Sequence, residues 1–192
     1  MGRAAWSARR AHNPKVKGSN PFPATFFNSS CLLFSMKLKV GLFSFTSDEG
    51  CSMIFIELLN NHFFDWEKIL DFKYFKLLKS KNELKDLDVA FVEGAISTFK
   101  EERKLKEIRK KSKRLVAIGS CAVNGSPSNQ RNFFSEDTTK EIKMILDDFG
   151  HRDKVSALNE IVKVDDNVPG CPMDENKFLG VLDKYLKEFK VV

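Results

Sequence analysis

From residue 36 onward the chain is punctuated by apolar runs that each end at a turn: "LKVGLFSF" (38–45), "DLDVAFVEG" (86–94) and "RLVAIGSC" (114–121). No other feature constrains the fold as much. Continuous runs of this kind read as strands buried on both faces, and such strands belong to parallel sheets covered by helices. The segments between them carry helical spacing. "CSMIFIELLNNHF" (51–63) has an apolar helical face, with Asp48 and Glu49 near its N-terminus. "STFKEERKLKEIRKKS" (97–112) is predicted as a helix capped by Ser97 or Thr98, with acids in its first turn. "FSEDTTKEIKMILDDFG" (134–150) ends at a glycine stop, and an amphipathic helix closes the chain. A further strand is predicted within about 68–75, and a short one before the Pro-Gly-Cys-Pro turn at 169–172. The alternation predicts an α/β fold: a central parallel sheet with helices on both faces.

Residues 1–35 break this pattern and show neither period. Their twin arginine, Arg9-Arg10, is followed by His12, Asn13, Pro14 and Lys15 rather than by an apolar stretch, so it does not read as an export signal. Gly18-Ser19-Asn20-Pro21 with Pro23-Ala24-Thr25 resembles the translated 3′ half of a transfer-RNA gene. The expectation is that the true start is Met36 and that 1–35 is a disordered, mis-called extension, with the functional domain at 36–192. The extension also accounts for the basic balance. The chain carries a formal +6. Taking Arg3, Arg9, Arg10, Lys15 and Lys17 from the 32 Lys and Arg leaves 27 against 26 Asp and Glu. A nucleic-acid partner is therefore not expected. The cluster "KEERKLKEIRKKSKR" (100–114) intersperses Glu among its cations at four-residue spacing, which reads as a solvated helix face. No apolar run reaches about 18 residues, so no membrane span is expected.

In open parallel sheets the ligand site lies beyond the carboxyl ends of the strands. The chemically notable residues all follow strands. Asp48 and Cys51 come after the first, Glu93 after "VAFV", Cys121 after "LVAIG" and Cys171 after the short strand. Setting aside Cys31 in the extension, three cysteines remain, which cannot pair off fully. That pattern points to a reduced, cytoplasmic protein using cysteine for metal or redox chemistry. His62 and His151 sit in or after helices and are expected to be structural. Four ligands drawn from separate loops suit either a structural zinc ion or an iron–sulfur cluster. Zinc knuckles supply ligands in close pairs, and only Asp48/Cys51 is such a pair. Widely spaced single ligands better suit a [4Fe–4S] cube. Gly50, Gly119 and Gly170 each lie within two residues of a cysteine, where they let the backbone approach a cluster. Each residue also has an ordinary reading: a buried cysteine as a small hydrophobe, Asp48 as a helix cap, Glu93 as a turn acid.

"FTSDEGC", "VEGAI", "GSCAVNG" and "VPGCP" follow one another in order, each after a strand. With these motifs the chain from about Met36 to Val192 resembles the small iron–sulfur subunit of [NiFe] hydrogenases and the related 20-kDa subunit of NADH:quinone oxidoreductases. The resemblance implies a flavodoxin-like, three-layer domain whose turns hold the [4Fe–4S] cluster nearest a partner's catalytic centre. Cys51, Cys121 and Cys171 would be ligands, and Asp48 stands where hydrogenase members usually have the first Cys of Cys-x-x-Cys. If Asp48 does not ligate, a [3Fe–4S] centre is expected. Glu93 matches the family's acid beside the cluster. Ser52 departs from the paired cysteines of the quinone-oxidoreductase branch, so the hydrogenase side fits better. The chain ends about 20 residues after its last cysteine, so one cluster is expected. The implied function is a non-catalytic electron-transfer subunit working with a [NiFe] hydrogenase large subunit and a diaphorase or ferredoxin-type partner. The rival readings are a 20-kDa-type subunit of a quinone oxidoreductase, a cluster-free, flavodoxin-like binding module, and a structural or assembly protein that has lost its cluster through Asp48.

Overall fold

The computed structural model describes residues 36–192. The expected extension at 1–35, with its disorder and mis-called start, lies outside those residues. The elements run β1 (Leu38–Ser44), α1 (Gly50–Asn61), α2 (Phe63–Ile69), β2 (Leu70–Phe75), β3 (Leu87–Glu93), β4 (Ile96–Thr98), α3 (Phe99–Lys111), β5 (Ser112–Ile118), α4 (Ser120–Asn124), α5 (Glu136–Asp148), β6 (His151–Ser156), β7 (Asp166–Val168) and α6 (Glu175–Glu188).

Five strands form one sheet in the order β2-β1-β3-β5-β7, every pair parallel. All seven residues of β3 at its centre are buried. Period-two alternation then feeds two separate cores. Val89 and Phe91 of β3 and Val116 and Ile118 of β5 pack on one face with α1, α2 and α6. Ala90, Val92, Leu115 and Ala117 pack on the other with Leu105 and Ile108 of α3 and Ala122 of α4. This is the three-layer α/β architecture the apolar runs predict. Phe178, Leu182, Tyr185 and Leu186 of α6 are all buried, and each contributes about 1.5–3 kcal/mol of apolar transfer energy.

Helix starts follow local chemistry. Thr98 Oγ1 accepts the Glu101 N–H at 3.1 Å while Glu101 Oε2 accepts the Thr98 N–H at 2.9 Å, a reciprocal cap that fixes the start of α3. The exposed face of α3 carries the expected ion pairs, Lys106–Glu102 at 2.5 Å and Lys104–Glu107 at 2.9 Å. Three elements differ from the sequence reading. The helical stretch 51–63 stops at His62 and restarts as α2, which turns Trp66 into the core with His62 stacked on it. Cys121 lies in the short helix α4 rather than in an open turn. An antiparallel ribbon, β4 with β6, is added beside the main sheet.

The outer edge of β2 is strapped. Lys73 O accepts the Glu83 N–H at 2.9 Å, Phe75 N–H donates to Asn82 Oδ1 at 2.6 Å, and Lys79 Nζ reaches Phe72 O. The segment 76–86 thus occupies backbone groups that a free edge strand would present.

Candidate cofactor site

The chain runs from β1 to β2 on one side and then crosses back to β3 on the other. The carboxyl ends of β1 and β3 therefore flank the switch point where such sheets bind ligands. Asp48 and Cys51 lie in the loop and first helical turn after β1, and Glu93 is the last residue of β3. The ends of β5 and β7 are tied to each other: Gly119 N–H donates to Val168 O and Ser120 N–H to Gly170 O, both at 2.7 Å. That pair of bonds brings the turns bearing Cys121 and Cys171 together.

Asp48, Cys51, Glu93, Gly119, Cys121, Gly170 and Cys171 line one narrow pocket. Gly50 does not line it. A Cβ at Gly50 would meet Asp48 Oδ1 at 3.2 Å, so its close neighbour is that carboxylate. Asp48 Oδ1 accepts the Gly50 N–H at 3.0 Å at the start of α1. The three thiols grade outward. Cys51 is buried, Cys121 half-buried and Cys171 exposed. Ser128 Oγ donates to Cys121 Sγ at 3.4 Å. Burial pushes the Cys51 thiol up to about 11. A hydrogen bond from the Met173 backbone opposes the rise, and the charges of Glu93, Cys121 and Asp48 reinforce it. Metal binding there has to displace a proton, because thiolate is the ligand form.

Glu93 is 1% exposed. Its carboxylate accepts the Ser52 N–H at 2.8 Å and the Ser52 Oγ–H at 2.9 Å. A buried carboxylate held by the first turn of α1 anchors that turn to the end of β3. Ser52 is the contact the sequence reading missed. Its signal was only its place beside Cys51.

The donor set on this pocket, three cysteine thiols and a carboxylate, is of the kind that iron–sulfur clusters use. Gly119 sits at φ +82°, and a Cβ there would stand 2.4 Å from Cys51 Sγ, so only glycine leaves that thiol its place in the pocket. No group of three or more His, Cys, Asp or Glu among the described residues surrounds a single point closely enough to hold one metal ion. His62 and His151 are elsewhere, on Trp66 and beside Ser97 O.

Residues 49–185 match the family model described as NADH ubiquinone oxidoreductase, 20 Kd subunit. The chain belongs to this family. Among its relatives, the delta subunit of sulfhydrogenase 2 of Pyrococcus furiosus is 29% identical over 76% of this chain and 60% of its own length. A subunit of the F420-non-reducing hydrogenase of Methanothermobacter thermautotrophicus is 28% identical over 71% of this chain and 49% of its own. The delta subunit of the NAD-reducing hydrogenase HoxS of Cupriavidus necator is 27% identical over 77% and 78%. The chain thus spans only about half to three-fifths of the first two relatives. A chain in the crystal structure of an NAD+-reducing [NiFe]-hydrogenase in the H2-reduced state superposes with a TM-score of 0.66 at 23% identity, over 79% of this chain and 93% of that one. That likeness establishes the shared fold.

Proposed function

We propose that this chain is the electron-transfer subunit of a hydrogenase-like oxidoreductase complex, holding one iron–sulfur cluster between the loops after β1, β5 and β7. One observation carries the reading: Cys51, Cys121 and Cys171, from the segments after three separate strands, line a single pocket together with Asp48. The names of these three relatives, all hydrogenase subunits, support it. Bound there, a [4Fe–4S] cluster supplies one-electron transfer. The chain's own residues do the positioning. The Cys51, Cys121 and Cys171 thiolates would hold it, with Asp48 as the fourth ligand, and a carboxylate there would be a harder ligand than thiolate. Should Asp48 only cap α1, a [3Fe–4S] centre is held instead. Glu93, fixed by Ser52, sets the charge beside Cys51. Gly119 keeps a side chain off the Cys51 sulfur, and Gly170 lets its turn close against the Pro172 carbonyl and the Asp174 N–H. The partner reading places a [NiFe] large subunit against the loop end, with a diaphorase or ferredoxin-type subunit taking the electrons, in the cytoplasm. No helix among the described residues is long and apolar enough to cross a membrane.

The family model itself favours a second reading, a 20-kDa-type subunit of a quinone-oxidoreductase-like complex. Ser52 weighs against it, since its hydroxyl is committed to Glu93 rather than offered as a second ligand beside Cys51. Anaerobic purification with metal analysis and electron paramagnetic resonance tests the proposal. About four irons per chain are expected for a full cube. Asp48→Cys should change the resonance while keeping the iron; an unchanged spectrum counts against Asp48 as ligand. Fewer than about three irons per chain in wild-type protein removes the cluster reading and leaves a structural or assembly protein that has lost its cluster, while flavin absorbance in place of a broad cluster band leaves the cluster-free binding module.

A further inference from the structure

Among the described residues, the sheet face that carries α3 is incompletely covered. Its core is built against α3 and α4, and the residues between β2 and β3 form no helix. Between α3 and the β1–β2 end of the sheet lies a cavity of about 850 Å³, within the size range of small-molecule sites. Phe45 and Tyr74 line it and are half-buried, and Phe43 stacks on one face of the Tyr74 ring with centroids 4.4 Å apart. One wall is a helix face: Lys100, Arg103, Lys104 and Glu107 recur at i, i+3, i+4 and i+7 along α3. Lys76 lines it from the strap.

The charge on this lining is unbalanced. Glu101 is consumed by the backbone N–H groups of Ser97 and Thr98, at 2.8 and 2.9 Å. Glu107 is paired with Lys104. Lys76, Lys100 and Arg103 make no ion pair among the described residues, and the one remaining acid on the lining is the exposed Glu49 at the start of α1. Aromatic surface beside three unpaired cations recognises a flat ring that carries an anionic group.

We propose that this cavity binds a nucleotide-class ligand, an aromatic ring bearing a phosphate, with the phosphate held by Lys100 and Arg103. The cavity and the cysteine pocket share a wall. Ser52 lines the first, Glu93 lines the second, and the two side chains are hydrogen-bonded. The proposal goes beyond the cluster reading and does not depend on it.

Isothermal titration of the full chain with adenosine monophosphate, NAD+ and flavin mononucleotide tests it, with inorganic phosphate as the fourth probe. At least one nucleotide should bind with a Kd below about 100 µM, and phosphate at least tenfold more weakly. Lys100→Glu with Arg103→Glu should weaken the nucleotide at least tenfold. Lys110→Glu with Lys111→Glu, the same charge change at exposed positions outside the lining, should leave it within about twofold. Absence of binding by all three nucleotides up to about 1 mM overturns the proposal. So does phosphate binding as tightly as the nucleotide, or equal weakening by the two charge-reversed pairs. Iron content reports on the cluster and titration heat on this cavity, so either reading can fail alone.

Discussion

Replacing Gly119 by alanine separates the two demands made on that position. Its φ of +82° and ψ of 158° lie in a region that is essentially glycine-only, where a side chain costs about 1–3 kcal/mol. The new methyl would also stand 2.4 Å from Cys51 Sγ, where ordinary contact begins at 3.4 Å. The turn or the thiol must therefore retreat by about 1 Å, and overpacking of that kind costs about 1–3 kcal/mol more. The expected loss is about 4 kcal/mol, which at this chain length lowers the melting temperature by ~8–16 °C. Gly150→Ala is the control. Gly150 also has positive φ, +65°, but nothing lies within 4 Å of an added Cβ. It should lose only the backbone cost, about 1 kcal/mol or ~2–4 °C. Thermal unfolding by circular dichroism on the full chain reads both, and iron per chain provides a second signal, which Gly119→Ala should lower and Gly150→Ala should not. A Gly119→Ala protein melting within about 4 °C of wild type, or a Gly150→Ala protein falling as far, would refute the reasoning.

Glu93→Leu strands the buried Ser52 N–H and hydroxyl, and should cost about 2–5 kcal/mol in urea unfolding. Glu93→Gln keeps an acceptor and should cost less than half of that, so equal losses would show that the Ser52 bonds are not the cause. Thr98→Ala removes the cap of α3 and should cost about 1 kcal/mol by the same measurement; no change would mean that packing alone sets the helix start. Burial raises the Asp166 carboxyl, but hydrogen bonds from Lys184, at 2.7 Å, and Tyr185 outweigh it and hold the group below the usual carboxylate range. A depressed folded value stabilises above the unfolded pKa of about 3.9 and loses that contribution as the pH falls through the folded value. The melting advantage of wild type over Asp166→Asn should therefore be level above about pH 5 and shrink below about pH 4. A gap of constant size from pH 6 to pH 3 would contradict this.

The parts of the fold legible in the sequence are those whose causes are local. The runs at 38–45, 86–94 and 114–121 are apolar because both faces of their strands are buried, and the Thr98 cap lies within one turn of its partner Glu101. The site was legible for a topological reason. Parallel strands point their carboxyl ends one way, so Asp48, Cys51, Glu93, Cys121 and Cys171 had to emerge at one edge. What the sequence hid depends on distant partners. "HRDKVS" (151–156) has no alternation to mark it as β6, and it becomes a strand by pairing with Ile96–Thr98 more than fifty residues earlier. α4 is five residues long, too short to show a period. The Ser52–Glu93 bonds span 41 residues. The uncovered face beside α3 arises from a helix that the chain does not form between β2 and β3, and a missing element leaves no motif.

The strap over β2 has a consequence for how another polypeptide could meet this chain. With Lys73 O, Phe75 N and Phe72 O already engaged by residues 79–83, strand addition along that flank would first have to peel those residues away. Neighbouring polypeptides must therefore meet the molecule through loops and helix surfaces on this side, and a sheet continuous across two chains cannot begin there.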